Sequence, residues 1–264
     1  MAAVLSAVKN KLNYTVVENS LDADIAVIWS VLWHGRMATN EAVYQHYRRQ
    51  GKSVLIIDVG ALHRNITWKL SVNNINALGY YGHTTNLDLD RPKKLGIRIA
   101  HPTKINSAIL IATQHRKSLQ LQNVSQEELI NKQIRMIQQH SDRLIVVRNH
   151  PRCPLNWADI LRPGVTQQIP KLVANTYDSY DVDYNYHAVV NYNSGPGIQA
   201  ALAGVQIIVD NSSLAHPVSN VLEQVDNYEF EDRSEWLVQI AHTEYTVDEL
   251  QQGAWIDRIS PALQ

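Results

Sequence analysis

Six short apolar runs, separated by stretches with helical character, constrain most strongly what this sequence can fold into. The runs are rich in β-branched residues and apolar at nearly every position, which is typical of strands that are covered on both faces of a sheet. Strands that alternate with helices favour a parallel sheet with right-handed crossovers. The runs are IAVIW (25–29), SVLIID (53–58), AILIA (108–112), RLIVVR (143–148), HAVVN (187–191) and VQIIVD (205–210).

Helix start signals lie between and after these runs. A Ser or Thr followed three residues later by Glu is the capping-box pattern, and it predicts helices that begin at Ser125 and Thr246. The first is expected to run to about residue 140, and the second is expected to end at Gly253. A further helix is predicted over 39–50.

The order of these elements predicts an α/β fold made of two Rossmann-like halves that face a cleft, the N-terminal half being small. Residues 105–210 form one such unit, and residues 1–81 contain a smaller βαβ unit. The turn-rich segment 82–102 between them is interpreted as the interdomain region. We therefore expect one domain over 1–90 and a second over 91–264, with C-terminal helices that pack back on the first.

Composition places the chain among soluble cytoplasmic proteins. The 264 residues include one cysteine, Cys153, which excludes an intrachain disulfide and fits a reducing compartment. The N-terminus lacks the long apolar segment of a signal peptide. No apolar run approaches the roughly 18 residues that a membrane span needs, so no membrane partner is expected.

The net charge of −1 hides a polarity along the chain. Residues 1–177 contain 22 basic and 11 acidic side chains, whereas residues 178–257 contain 14 acidic side chains and one base, Arg233. Seven bases and no acid lie within 91–126, and such a stretch can attract a polyanion or a phosphorylated ligand. A solvated basic face is the plain alternative. The seven are Arg91, Lys93, Lys94, Arg98, Lys104, Arg116 and Lys117.

A glycine-rich turn, NSGPG at 193–197, follows the fifth strand candidate and opens a short Ala-rich helix. Pro196 suits the first turn of a helix. The N–H groups at a helix start form an anion site, and glycine lets a diphosphate approach the backbone closely. A simple tight turn is the competing interpretation. The pattern is neither the dinucleotide fingerprint, which follows a domain's first strand, nor a P-loop, since no Lys-Ser/Thr follows.

Three strand ends together predict a phosphate-binding site. Ligands of parallel sheets gather at the carboxyl edge, where the strands at 108–112, 143–148 and 187–191 all end. The loops that follow them offer cations, hydroxyls and backbone amides from separate parts of the chain. The candidate side chains there are Arg116, Lys117, Ser118, His150 and Arg152.

The chain also resembles a known family. The segments VVRNHPR, NYNSGPGIQAALAGVQIIVD and DRSEWLVQIAHTEYTVDELQQGAWIDRI resemble glycosyltransferases of the GT-B architecture that are related to capsule polysaccharide transferases. They are more similar still to phage-encoded enzymes that attach sugars to hydroxymethylated pyrimidines in DNA. In the N-terminal half, ADIAVIWSVLWHGR and the segment from YRRQGKSVLIIDVGALHR onward resemble the same family.

The resemblance implies that the donor is a nucleotide diphosphate sugar, and a UDP-sugar is the expected one. No other cofactor and no metal are expected. It places Gln114, Ser118, His150, Arg152, Asn193, Ser194 and Gly195 at the donor, and Asp58, Gly60 and Arg64 toward the acceptor. The family often has Glu where Asp58 stands. Our full donor-side set adds Arg116, Arg148 and Gln199, and the acceptor-side set adds Lys69, Asn76, Lys93 and Lys94.

Asp58 at a strand end suits the base that takes a proton from the acceptor hydroxyl. Its alternative role is to cap the following turn, and His34 is a rival base whose own alternative is packing or hydrogen bonding. Two Asp-x-Asp patterns, at 88–90 and 181–183, resemble the metal site of a different glycosyltransferase architecture, but both lie in polar loops of the wrong context for it, so no metal site is expected there.

Duplex DNA is the expected acceptor. A polysaccharide or lipid-linked glycan is the first alternative, and a non-catalytic protein that binds nucleotide sugars is the second. The sequence does not define an oligomeric state.

Overall fold

The computed structural model describes residues 1–12, 14–101, 106–121, 124–176, 179–228 and 230–263. The chain forms two compact units. Unit 1 contains Met1–Ile97 and Ser234–Gln264, and unit 2 contains Arg98–Arg233. Each unit has its own sheet flanked by helices, so the predicted α/β class is confirmed. The basic residue Lys104 lies outside the described residues.

Strands and helices alternate over much of the chain, as the sequence predicts, but among the described residues no α-helix separates β2 from β3 or lies between β5, β6 and β7. In chain order the strands are β1 (Ala26–Trp29), β2 (Val54–Val59), β3 (Thr67–Val72), β4 (Asn106–Ala112), β5 (Ile145–Arg148), β6 (Val165–Gln168), β7 (Tyr186–Asn191), β8 (Gln206–Val209) and β9 (Glu244–Thr246). The α-helices are α1 (Ala2–Lys11), α2 (Asn40–Arg49), α3 (Arg91–Lys94), α4 (Gln126–Gln138), α5 (Gly195–Leu202), α6 (Ser234–Ala241), α7 (Val247–Gln252) and α8 (Ile256–Ile259).

Short 3₁₀ turns link several of these elements. They are Gly35–Met37, Leu119–Leu121, Trp157–Asp159, His216–Val218, Leu222–Gln224 and Ser260–Ala262.

The sheet of unit 1 is mixed, in the order β1-β2-β3-β9. β1 and β2 pair in parallel around α2, which confirms the predicted βαβ unit. β3 and β9 then add antiparallel strands that the sequence analysis did not identify. β3 escapes a search for apolar runs because Lys69 and Ser71 interrupt it, and β9 has three residues only.

One face of this sheet carries the core of unit 1. Leu55 and Ile57 of β2, with Leu70 of β3, pack against residues of α1, α7 and α8 and against Trp255, which immediately precedes α8 and is fully buried. The C-terminal helices are therefore part of unit 1. The opposite face of the sheet contains the polar side chains discussed below.

The sheet of unit 2 is parallel throughout, in the order β6-β5-β4-β7-β8. β4, β5, β7 and β8 correspond to predicted strands. The edge strand β6 was missed because its sequence, VTQQ, is mostly polar. α4 covers one face with Ile130, Ile134 and Ile137, which are fully or almost fully buried.

The predicted helix ends agree with the structure. The Ser125 hydroxyl accepts the Glu128 N–H, and α4 begins there. At α7 both bonds of the capping box form, between Thr246 and Glu249, and Gly253 ends the helix in the left-handed region at a φ of 72°. A residue with a side chain would be strained at that angle, which explains a glycine there.

Candidate functional site

The carboxyl edge of the parallel sheet in unit 2 brings three loops together. Gln114, after β4, donates to the Asn193 side chain after β7 at 3.2 Å and accepts the Asn193 N–H at 3.4 Å. Thr113 accepts the N–H of His150, after β5, at 2.8 Å. The three loops converge because the carboxyl ends of parallel strands lie at the same edge of the sheet. These bonds join the loops that the sequence analysis placed at one site.

Asn191 shapes the start of α5. Its side chain donates to Ala112 O at 2.8 Å and to the Ser194 hydroxyl at 2.9 Å, and it accepts the Ser194 N–H at 2.9 Å. Gly197 packs closely against β8, since an added Cβ would meet Val209 Cγ1 at 3.0 Å. The first turn of α5 is thus fixed at the sheet edge, where the helix dipole favours an anion.

His150 and Arg152 lie beside this edge. The rings of His115 and His150 meet edge to face with centroids 5.2 Å apart, and His150 Nδ1 accepts the Arg152 N–H at 3.1 Å. His150 is half-buried, and Arg152 is exposed. A nitrogen that accepts a backbone N–H is unprotonated, so this bond favours the His150 tautomer with its proton on Nε2.

The other predicted donor-side residues have partners within the protein. Arg148 is 4% exposed, and its guanidinium donates to Gln168 Oε1 and Asp183 O, each at 2.6 Å. The Gln199 side chain accepts from the Tyr184 hydroxyl at 2.6 Å, and the Ser118 hydroxyl donates to Gln120 at 2.9 Å. Burial and these bonds mean that Arg148 joins loops of unit 2 rather than presenting its charge at the surface.

Arg116 also makes protein contacts. It donates to Cys153 Sγ at 3.3 Å and to Pro154 O at 2.7 Å, and it pairs with Glu127 at 3.2 Å. The bond to Cys153, as the largest cause, and the charge of Glu127 raise the pKa of Arg116, opposed by burial. Arg116 therefore holds the His150 loop against α4.

Asp58, the predicted base, is the penultimate residue of β2 in unit 1. Its carboxylate accepts the Val59 N–H at 2.7 Å, and it accepts the Val31 N–H and the Ser30 hydroxyl at 3.4 Å each. Ser30 lies in the left-handed region with a φ of 66°, an unusual position for a residue other than glycine and one often found at functional sites. Burial raises the pKa of Asp58, opposed by these bonds and by Lys69.

The predicted acceptor-side residues divide by exposure. Lys69 and Asn76 are 6% and 3% exposed, so in this structure both face protein groups rather than solvent. Burial lowers the pKa of Lys69, opposed by Glu244 and Asp58. Arg64 and Lys93 are exposed, as is the rival base His34.

Several cations of the basic stretch are paired. Lys94 bonds Asp88 at 2.6 Å, which raises the pKa of Lys94 and lowers that of Asp88. Arg91 is buried and pairs with Glu249 at 2.7 Å. The sequence could not show this pairing, because Glu249 follows Arg91 by 158 residues. The stretch is not a single face of uncompensated charge.

The Asp-x-Asp patterns serve as local turns. Asp88 accepts the Asp90 N–H, and Asp183 accepts the Asn185 N–H. Within the described ranges, no group of three or more His, Cys, Asp or Glu side chains has the arrangement needed to hold a metal ion. Nor does any helix in those ranges have the length and apolar character to cross a bilayer.

Sequence reasoning missed Glu244 and Asn191, the residue whose side chain fixes the start of α5. Glu244 is fully buried in β9 and bonds to the turn after Asp58. A glutamate in a three-residue strand gives no periodic signal, so its position emerges only from the antiparallel pairing with β3. Asn191 could have been found, since it is the last residue of a predicted strand.

Comparison with known proteins gives structural neighbours that include two distant ones. No protein-family model and no curated protein sequence matches the chain. Among solved structures, the Thermosulfurimonas dismutans KpsC beta Kdo 2,7 transferase is 14% identical with a TM-score of 0.43, over 89% of this chain and 86% of that one. The beta Kdo 2,4 transferase of the same organism is 10% identical with a TM-score of 0.43, over 85% and 86%. Both names are of glycosyltransferases, and neither names a DNA acceptor.

Proposed function

We propose that this chain is a glycosyltransferase whose sugar donor is a nucleotide diphosphate sugar. A UDP-sugar is the first candidate for this donor. The observation that carries the proposal is the convergence of three strand-end loops of unit 2 around the start of α5. Gln114, His150 and Asn193 are bonded into one edge there. A diphosphate fits such an edge, because helix N–H groups and nearby cations bind phosphate oxygens.

In the proposed reaction the carboxylate of Asp58 accepts the proton of an acceptor hydroxyl. The hydroxyl oxygen then forms a bond to the anomeric carbon as the bond from that carbon to the diphosphate breaks. The start of α5, with Arg152, stabilises the negative charge that builds on the departing diphosphate. The raised pKa of Asp58 suits this role, since a stronger base takes a proton more readily near neutral pH.

Donor turnover tests the proposal. The protein is incubated with UDP-, GDP- and CMP-linked sugars, and release of free nucleotide is measured beside binding by calorimetry. Binding of one nucleotide sugar with release of UDP or GDP is expected, whereas release of CMP alone, from a donor with a single phosphate, would contradict a nucleotide diphosphate donor. Binding of a nucleotide sugar without release of nucleotide, whichever acceptor is added, supports the non-catalytic alternative. Absence of both binding and release contradicts the proposal.

For the acceptor we propose a 5-hydroxymethylpyrimidine in DNA, supported by the excess of basic residues in 1–177. A polysaccharide or lipid-linked glycan is the second candidate. The internal pairing of Arg91, Lys94 and Arg116 favours it, because paired cations attract a polyanion less. Mass spectrometry of nucleosides, after incubation with hydroxymethylated DNA and the donor panel, separates the two. A glycosylated nucleoside supports DNA, whereas transfer to a glycan alone supports the second candidate.

A further inference from the structure

Three charged side chains lie in a row across neighbouring strands of unit 1. Asp58 of β2 is directly opposite Lys69 of β3, and Lys69 is directly opposite Glu244 of β9. Opposed residues of antiparallel strands point to the same face, with Cβ atoms about 5 Å apart. The row therefore alternates carboxylate, ammonium and carboxylate on the face away from the apolar core. We call it the charged row.

Glu244 anchors the turn that follows Asp58. One carboxylate oxygen accepts the Ala61 N–H at 2.6 Å, and the other accepts the Leu62 N–H at 3.2 Å and the Thr67 hydroxyl at 2.6 Å. Gly60 makes room for this approach, since an added Cβ would lie 2.4 Å from Glu244 Oε2. A fully buried carboxylate that accepts three hydrogen bonds is held in one place.

Lys69 supplies the positive charge between the two carboxylates. Its ammonium also reaches Ile75 O at 3.5 Å, and its side chain is almost fully buried. Without a cation between them, the half-buried carboxylate of Asp58 and the buried carboxylate of Glu244 would repel each other, and Asp58 would hold its proton more tightly. Tyr81 is buried at the same face. Burial raises its pKa well above the usual value, and the negative charges of Glu244 and Asp58 also raise it, so Tyr81 remains a neutral hydroxyl.

We propose that Glu244 and Lys69 are positioning residues for Asp58. Glu244 fixes the turn 60–62 that follows the base, and Lys69 keeps the Asp58 carboxylate available to accept a proton. This inference rests on the proposed function in assigning a catalytic task to Asp58. The placement of the charges can be measured without any activity.

Hydrogen exchange tests the anchor on the full chain. In Glu244→Ala, the amides of Ala61 and Leu62 are expected to exchange roughly tenfold faster or more, because each loses a bond to a charged acceptor. Glu244→Gln, which keeps one acceptor oxygen, should lie between Glu244→Ala and the parent protein, and it serves if the alanine variant does not fold. The control is Glu235→Ala, an exposed glutamate of α6 in the same unit. Unchanged exchange in both Glu244 variants overturns the anchor.

Titration tests the cation. The Asp58 carboxyl carbon is followed by NMR and assigned with Asp58→Asn. Lys69→Met, of similar length and without charge, is expected to move the Asp58 midpoint to higher pH, whereas Lys9→Met, at an exposed position of α1, leaves it in place. If transfer is measurable, the acid limb of the pH profile for kcat moves the same way, with the donor KM unchanged. An Asp58 midpoint that does not move in Lys69→Met overturns the role of Lys69.

The two failures are distinguishable. Altered exchange and titration without turnover of any nucleotide sugar contradict the proposed function and leave the positioning of Asp58 supported. Turnover together with unchanged exchange and titration contradicts this inference alone.

Discussion

At the scale of single residues, the donor site depends on His150 and Arg152. His150→Ala and Arg152→Ala are each expected to weaken use of the nucleotide sugar by about tenfold or more, which is the contribution of one charge-assisted hydrogen bond. The fold should persist, because His150 is half-buried and Arg152 is exposed. Calorimetry with the free nucleotide diphosphate measures the effect.

The control for these variants is Lys171→Ala, an exposed residue of unit 2 outside the predicted site. Donor affinity equal to that of the parent protein in both site variants would remove the donor assignment.

Gly60 offers a second test at this scale. An alanine Cβ there would lie 2.3 Å from Thr67 O and 2.4 Å from Glu244 Oε2, so backbone or carboxylate must move. Gly60→Ala is expected to lower the free energy of unfolding by about 3 kcal/mol, at the upper end of overpacking effects. Denaturant unfolding measures the loss.

Gly35→Ala is the matched control. Gly35 has a φ of 56° with no atom within 4 Å of an added Cβ, so only the backbone preference is lost. That cost is roughly 1 kcal/mol. Equal losses in the two variants would contradict the crowding at Gly60.

At the scale of elements, the sequence predicted the strands and helices that are marked by an apolar run, by apolar periodicity or by a capping pattern. β4, β5, β7 and β8 are apolar runs of parallel strands, and a cap with apolar periodicity marks α4. β3 was missed because Lys69 and Ser71 interrupt its apolar residues, and β9 because it has only three residues. The site shows the same division. The glycine turn and His150 were visible at strand ends, whereas the bond partners of Arg148 and Lys69 depend on tertiary packing.

α7 carries a testable pH effect through Glu249, which caps the helix and pairs with Arg91. Burial alone would raise the Glu249 pKa, but the bonds from Arg91 and Thr246 outweigh it, and the folded-state pKa is lowered. The stabilisation is therefore present above the unfolded-state value, about 4.5, and is lost as the pH falls through the folded-state value.

Glu249→Gln should accordingly reduce the free energy of unfolding at neutral pH and flatten its decline on acidification. Thr246→Ala removes the cap but keeps the charge, so it should cost about 1 kcal/mol with the pH dependence retained. Unfolding curves between pH 3 and pH 7 compare the variants. An identical pH dependence in Glu249→Gln and the parent protein would contradict the role of the ion pair.

At the scale of the whole molecule, the question is whether the basic part of the chain meets a polyanion. If the acceptor is duplex DNA, affinity should fall with salt, with a slope that reports about three to six phosphates. Lys93→Ala is expected to reduce the slope by about 0.9, the value for one phosphate. Lys94→Ala should reduce it less, because Asp88 at 2.6 Å already neutralises much of that charge.

Two further variants make the salt experiment decisive. Asp88→Asn releases Lys94 from its pair and should steepen the slope, whereas Glu223→Gln, on the acidic part of the chain, should leave it unchanged. Lys93→Ala should not alter which base is modified, since phosphate contacts orient a protein on DNA without reading sequence. A target base must also leave the stack to bring its hydroxymethyl group to Asp58, so a mismatched site should react at least as well as a paired one. Affinity that ignores salt in every variant would reject DNA and favour the glycan acceptor, for which the pairing of Arg91, Lys94 and Arg116 is no disadvantage.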